Sequence, residues 1–236
     1  MKMRLAKAIS NQGYCSRRDA EKLIIQGKIR VNDQIVQQCQ TLVSEQDKIE
    51  VDNYQNLTTS ARLWLYHKPK GVISTHKDPQ GRKTVFETFP IKLNYHVVSV
   101  GRLDLNSEGL LLITNSKSLA HMLEHPENNF ERVYKVRVFG KLTDEIFKIT
   151  RGITIDGIRY KPIKLKILQE GINNWCQMTL SEGKNREIRK IFEHFGLIVN
   201  RLIRTDYGPF SLGNLEVGQA QEIPTNKIKL FIESKC

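Results

Sequence analysis

Residues 132–138, RVYKVRV, alternate without a break: Tyr134, Val136 and Val138 fall on one face, Val133, Lys135 and Arg137 on the other. That period of two predicts a strand with one buried face. RLWLYHKP (62–69), YHVVSV (95–100), GLLLIT (109–114), KPIKLKIL (161–168), WCQMTL (175–180) and LIVNRLIRTDYG (197–208) predict further strands. Between them the period changes. NREIRKIFEHFG (185–196) lines up Ile188, Ile191, Phe192 and Phe195 as a helical stripe. SKSLAHMLEHP (116–126) reads as a helix ended by Pro126, LTDEIFKITRG (142–152) as a helix capped near Thr143, and NKIKLFIESK (226–235) as a C-terminal helix. Strand and helix do not alternate as a doubly wound sheet requires, so the pattern predicts a mainly antiparallel α+β domain.

The first 52 residues form a unit of their own. RLAKAISNQG (4–13) predicts a short helix with Leu5, Ala8 and Ile9 inward and Gly13 at its end. Ser16 is placed to cap a second helix, with Asp19 three residues on and Gly27 as its stop. IRVNDQIV (29–36) reads as strand, Asn-Asp turn, strand, and DKIEVD (47–52) as a third strand. The polar stretch NYQNLTTSA (53–61) is the expected linker, leaving residues 62–236 for the larger domain.

The composition narrows what such a chain can do. With 39% hydrophobic and 26% charged residues it has an ordinary globular balance. No apolar run nears the roughly 20 residues that cross a bilayer. MKMRLAKAISNQGYC lacks the apolar stretch of a signal peptide. The scattered cysteines, Cys15, Cys39, Cys176 and Cys236, form no Cys-x-x-Cys pair and are expected as reduced thiols in the cytoplasm. The formal net charge is +12. Residues 1–30 carry eight basic side chains against Asp19 and Glu21, a net +6 in an eighth of the chain. Such a basic segment attracts a polyanion, and without a strongly apolar helix face nucleic acid fits better than membrane.

Candidate chemistry is sparse. His121 and His125 flank Glu124 at helical spacing, a short inverted zinc-protease pattern, but no later residue offers a third ligand, so no metal is expected. Asp104 and Glu108 sit on a turn, where spacing says nothing about their separation, and Glu108 reads as structural. No phosphate-loop pattern occurs, and no cofactor is expected. One carboxylate stands out: Asp104, in a turn just before the aliphatic run GLLLIT.

KPKGVISTHKDPQGRKTV (68–85), GRLDLNSEGLLLITN (101–115), RVYKVRV (132–138) and EGKNREIRKIFEHFGLIVNRLIR (182–204) resemble, in that order, one class of pseudouridine synthases: ribosomal small-subunit synthase A and large-subunit synthases B and F. The resemblance covers roughly residues 2–225. Ile113 stands for a usual Leu and Ser116 for a usual Asp. The first 52 residues resemble the RNA-binding module named after ribosomal protein S-four, in which Arg4, Lys7, Ser16, Arg17, Arg18, Lys22 and Lys28 would meet RNA. The resemblance implies that Asp104 is the catalytic aspartate of a uridine-to-pseudouridine isomerisation. Arg102 would assist the flipped-out nucleotide, Tyr134 would stack on the base and help move its proton, Arg189 would pair with Asp104, and Leu202 would line the pocket. Asn185 and Arg186 match large-subunit synthases B and F, and Glu187 leans toward B, pointing to large-subunit ribosomal RNA or a pre-ribosomal particle as partner of a monomeric enzyme. The other reading is a non-catalytic RNA-binding assembly factor on the same scaffold.

Overall fold

The computed structural model describes residues 2–44, 46–52, 60–93 and 95–234. Most of the expected linker, residues 53–59, lies outside them. In the N-terminal unit, helices Leu5–Asn11 and Arg17–Ile25 pack on the strands Ile29–Val31, Gln34–Ile35 and Ile49–Val51, with a small extra pair between Met3–Arg4 and Leu42–Val43. Asn32 and Asp33 both take positive φ, as a tight hairpin turn between twisted strands demands. Leu5, Ile9, Ala20, Ile24 and Ile29 are fully buried in a core separate from those of the larger domain.

The larger domain is built on one sheet of nine described strands. Its main path runs Lys164–Gln169, Asn173–Leu180, Arg132–Phe139, Ile198–Tyr207, Glu108–Thr114, Leu63–Lys68 and Ala220–Glu222. Every pairing is antiparallel except that of Glu108–Thr114 with Ile198–Tyr207. The mainly antiparallel expectation holds, and the parallel joint marks the middle of the sheet.

The two halves are covered differently. On the half holding Arg132–Phe139, the inward residues Val136, Val138, Cys176 and Met178 pack against Ile146, Ile149, Ile188, Ile191 and Phe192. On the other half both faces are covered. Leu110 and Leu112 meet helix Lys117–Glu124 and the C-terminal helix Thr225–Glu233, while Leu111 and Ile113 meet Trp64, Val85 and Leu103. Leu63–Lys68 is buried at all six positions, as a central strand covered on both faces should be.

Residues 144–151 form a 3-10 helix rather than the expected α-helix. Ile146 and Ile149, three residues apart, are its buried anchors, a spacing that suits three residues per turn. The hairpin Ile153–Ile155 and Ile158–Tyr160 and the one-turn helix Val85–Thr88, held by a Thr84–Glu87 capping box, had no clear signal in the hydrophobic pattern. Ser116 caps Lys117–Glu124 by accepting from Leu119 N–H, a task Asp performs equally well, so its departure from the family pattern is structurally silent.

Candidate active site

Asp104 lies on the loop between strands Val98–Val100 and Glu108–Thr114, and that loop is fastened from several sides. Glu124 Oε1 accepts from Gly101 N–H at 2.6 Å. Ser74 Oγ accepts from Leu103 N–H at 3.1 Å and donates to Leu103 O at 2.8 Å. Ser107 N–H closes a turn on Asp104 O at 3.0 Å. Beneath it sits Lys68, wholly buried, whose Nζ donates to Pro69 O (3.0 Å), Asp104 O (3.1 Å) and Ser107 O (2.8 Å). Burial pushes the Lys68 ammonium down to about 8, against the opposing pull of Asp104 and Glu108.

The SEG segment after this loop builds the joint of the sheet. Gly109 has φ +105° and faces Arg204 across the parallel pair; a Cβ there would come within 2.3 Å of Arg204 O. Only glycine permits that approach. Glu108 is buried against Arg201, with Nε to Oε1 at 2.5 Å, which agrees with its reading as structural. Arg204, also buried, donates from Nε to Leu110 O at 2.7 Å.

A cavity of about 590 Å³ opens over this loop. It gathers every expected site residue of the larger domain: Arg102, Asp104, Tyr134, Asn185, Arg186, Arg189 and Leu202. Tyr134 is half-buried and packs against the cores of both halves, which sets its ring at the cavity wall. Arg102, Asn185 and Arg186 are exposed at the rim. Arg189 departs from the simplest expectation. Its guanidinium donates to Asn106 O at 2.8 Å and Val199 O at 3.1 Å, and among the described residues no hydrogen bond or salt bridge joins it to the Asp104 carboxylate. It therefore ties helix Glu187–His194 to the Asp104 loop through backbone. Burial and Arg186 lower its pKa while Asp104 raises it, so the aspartate acts on it through space.

Opposite lies a carboxyl pair whose arrangement the sequence did not announce. Glu187 is buried and its Oε2 accepts from Lys184 N–H at 3.0 Å, while its Oε1 has no donor. Burial, reinforced by Glu182, pushes its carboxyl up to about 7. Glu182 moves down: burial opposes the shift, but the Lys161 N–H (2.8 Å) and the Lys184 ammonium outweigh it. This pair fixes the loop carrying Asn185 and Arg186, whose φ of +52° begins the helix.

The N-terminal candidates stand apart from this cavity. Arg4, Lys7, Arg17, Arg18, Lys22 and Lys28 are exposed, with Lys22 3.5 Å from Asp19. Ser16 does not present a free hydroxyl. It caps helix Arg17–Ile25 by accepting from Asp19 N–H at 3.2 Å and donates to the Asp19 carboxylate at 2.6 Å. Among the described residues no three His, Cys, Asp or Glu side chains are grouped as a metal site requires. Nor is any described helix long and apolar enough to cross a membrane.

Comparison with known proteins identifies the family. Residues 62–194 match the family model described as RNA pseudouridylate synthase, and residues 3–49 match the S4 domain. An RNA pseudouridine synthase of Rickettsia typhi is 50% identical over 98% of this chain and 96% of its own length. Ribosomal large subunit pseudouridine synthase B of Buchnera aphidicola is 40% identical over 89% of this chain and 88% of its own. A crystal structure of a pseudouridylate synthase superposes with a TM-score of 0.69 at 26% identity, covering 96% of this chain and 98% of that one. A basic S4 domain precedes a sheet whose loops gather Asp104, Tyr134 and Arg189 around one cavity, and the chain belongs to the RNA pseudouridine synthase family.

Proposed function

We infer that this enzyme converts one uridine of large-subunit ribosomal RNA to pseudouridine, with Asp104 as the nucleophile. The carrying observation is the convergence of Asp104, Tyr134, Arg189 and Leu202 on one cavity while Arg4, Lys7, Arg17, Arg18, Lys22 and Lys28 lie exposed in the S4 domain. Synthase B of Buchnera aphidicola, named for the large subunit, supports the choice of RNA.

The target nucleotide leaves its stack, because its reacting atoms are inaccessible in a helix. Arg102, Asn185 and Arg186 at the rim meet the RNA around it, and Tyr134 and Leu202 hold the extruded base. The N1–C1′ glycosidic bond breaks while the Asp104 carboxylate adds to C1′ or stabilises its positive charge. The freed uracil turns, C5 bonds to C1′ as the Asp104 carboxylate is released from it, the C5 proton leaves with help from Tyr134, and N1 ends protonated. Product and substrate are isomers, so the reaction consumes no cofactor. The enzyme works as a cytoplasmic monomer on ribosomal RNA or a pre-ribosomal particle.

The test is to incubate the protein with unmodified large- and small-subunit transcripts and map pseudouridine. A single new site in the large-subunit RNA is expected. Conversion only in small-subunit RNA would overturn the assignment of target. No conversion in either RNA or in precursor particles would favour the assembly-factor reading.

A further inference from the structure

The half of the sheet that carries Tyr134 on its inner face is bare on its outer one. The register sets Lys135 opposite Gln177, Arg137 opposite Trp175 and Arg201, and Lys166 opposite Gln177, all on the face away from the Val136–Met178 core. Lys135, Lys166 and Gln177 are exposed and Trp175 and Arg137 half-buried, and among the described residues no helix or apolar cluster covers this surface. An antiparallel sheet can leave one face to water, but the chemistry of this face is specific.

Two of its cations are neutralised: Lys164 by Glu131 at 2.6 Å and Arg201 by Glu108. Lys135, Arg137 and Lys166 have no acidic partner among the described residues, so a net positive field remains. The Lys135 ammonium stands 4.9 Å from the Trp175 ring centroid, holding an aromatic surface among the charges. Cations spaced along strands around a half-exposed indole are what a single nucleic-acid strand needs: charge for its phosphates and a π-face for a base.

We propose that the open sheet face around Trp175, Lys135, Arg137 and Lys166 is a second RNA-binding surface that holds a single-stranded segment of the substrate RNA outside the catalytic cavity. The proposal rests on the chain being an enzyme of RNA. It requires neither Asp104 nor the S4 domain, whose cations lie elsewhere in the fold.

Trp175 is one of two tryptophans, and the other, Trp64, is sealed in the core, so indole fluorescence reports on this face. Titration with a twelve-nucleotide oligouridylate at several salt concentrations is expected to quench the emission of the full-length protein. Trp175→Phe abolishes the quench. Lys135→Gln with Arg137→Gln and Lys166→Gln weakens binding about tenfold and lowers the log–log salt slope by about 2, near 0.7 for each phosphate no longer engaged. All these side chains reach solvent, and unchanged circular dichroism checks the fold. A quench that survives Trp175→Phe, or a triple variant that binds oligouridylate like the wild type, overturns the proposal. If the triple variant loses only affinity for precursor ribosomal particles, the face docks protein and the proposal is again wrong. Single-turnover rates on a short saturating stem-loop should match wild type in every variant; a wild type inactive on all RNA would count against the proposed activity and leave the fluorescence result standing.

Discussion

The Nζ of Lys68 and the backbone carbonyl of Asp104 are 3.1 Å apart, and the same ammonium reaches Ser107 O three residues on. A buried cation thus clamps both ends of the turn that presents the carboxylate. Lys68 is the last residue of a wholly buried strand, so the turn is referenced to the buried centre of the sheet. Replacing it by Met removes three hydrogen bonds and leaves Pro69 O and Ser107 O without the ammonium that satisfies them, a cost of about 1–3 kcal/mol. Lys68→Met is expected to lower Tm by several degrees and turnover by about 10- to 100-fold, because Asp104 is no longer held in register. The folded chain also binds fewer protons than the unfolded one between pH 8 and about 10.5, so Lys68 makes stability rise across that window. Denaturant titrations at pH 7.5 and 10 should show this rise in the wild type and its loss in the variant; an unchanged Tm and turnover would show that the clamp is idle.

Asp104→Asn keeps the size and the backbone contacts of the residue while removing its charge. Turnover should fall by at least about 10³-fold, as loss of a nucleophile does elsewhere, with fold and RNA affinity retained. Single-turnover conversion beside a binding isotherm checks this. A variant keeping a tenth of wild-type turnover would remove Asp104 from the nucleophile role.

Glu187 gives a pH signature of opposite sign to that of Lys68. Its carboxyl titrates near 7 in the folded chain and near the ordinary carboxylate value when unfolded, so the folded state holds an extra proton between them. Stability contributed by the neutral carboxyl is present at low pH and is lost as pH rises toward 7. Glu187→Gln should flatten the wild-type decline between pH 5 and 7 in unfolding experiments. It should also make RNA affinity less pH-dependent, because the loop bearing Asn185 and Arg186 no longer titrates. A variant with the wild-type slope would place the proton elsewhere.

A chain beginning near Ser60 tests the division of labour. The S4 core is separate from the cores of the larger domain, and the bonds that join the two units are polar ones such as the Lys117 ammonium on Ser10 Oγ and His96 N–H on Gly13 O at 3.1 Å. The shortened chain should fold and retain its saturating rate. Its RNA affinity should fall, with a salt slope shallower by about 0.7 to 0.9 for each phosphate the missing cations would have neutralised. An unchanged slope would make the basic N-terminal surface a merely solvated one.

The sequence by itself determined most strands of the main sheet, the two-unit organisation and the family, because these depend on local period and on motif order, but it did not mark Ile153–Ile155, Ile158–Tyr160 or Ala220–Glu222. It marked Asp104 and Tyr134 by resemblance, and their loops do converge on one cavity. It did not reveal Lys68 as a clamp, since a lysine ending an apolar run looks like an ordinary strand terminus until the Asp104 turn folds over it. Nor did it reveal that Arg189 donates its hydrogen bonds to two backbone carbonyls from distant segments while Asp104 acts on it through space. The Glu182–Glu187 pair and the bare basic face were likewise tertiary outcomes. Burial, strand register and the absence of a covering helix arise between segments far apart in the chain, and no local pattern encodes them.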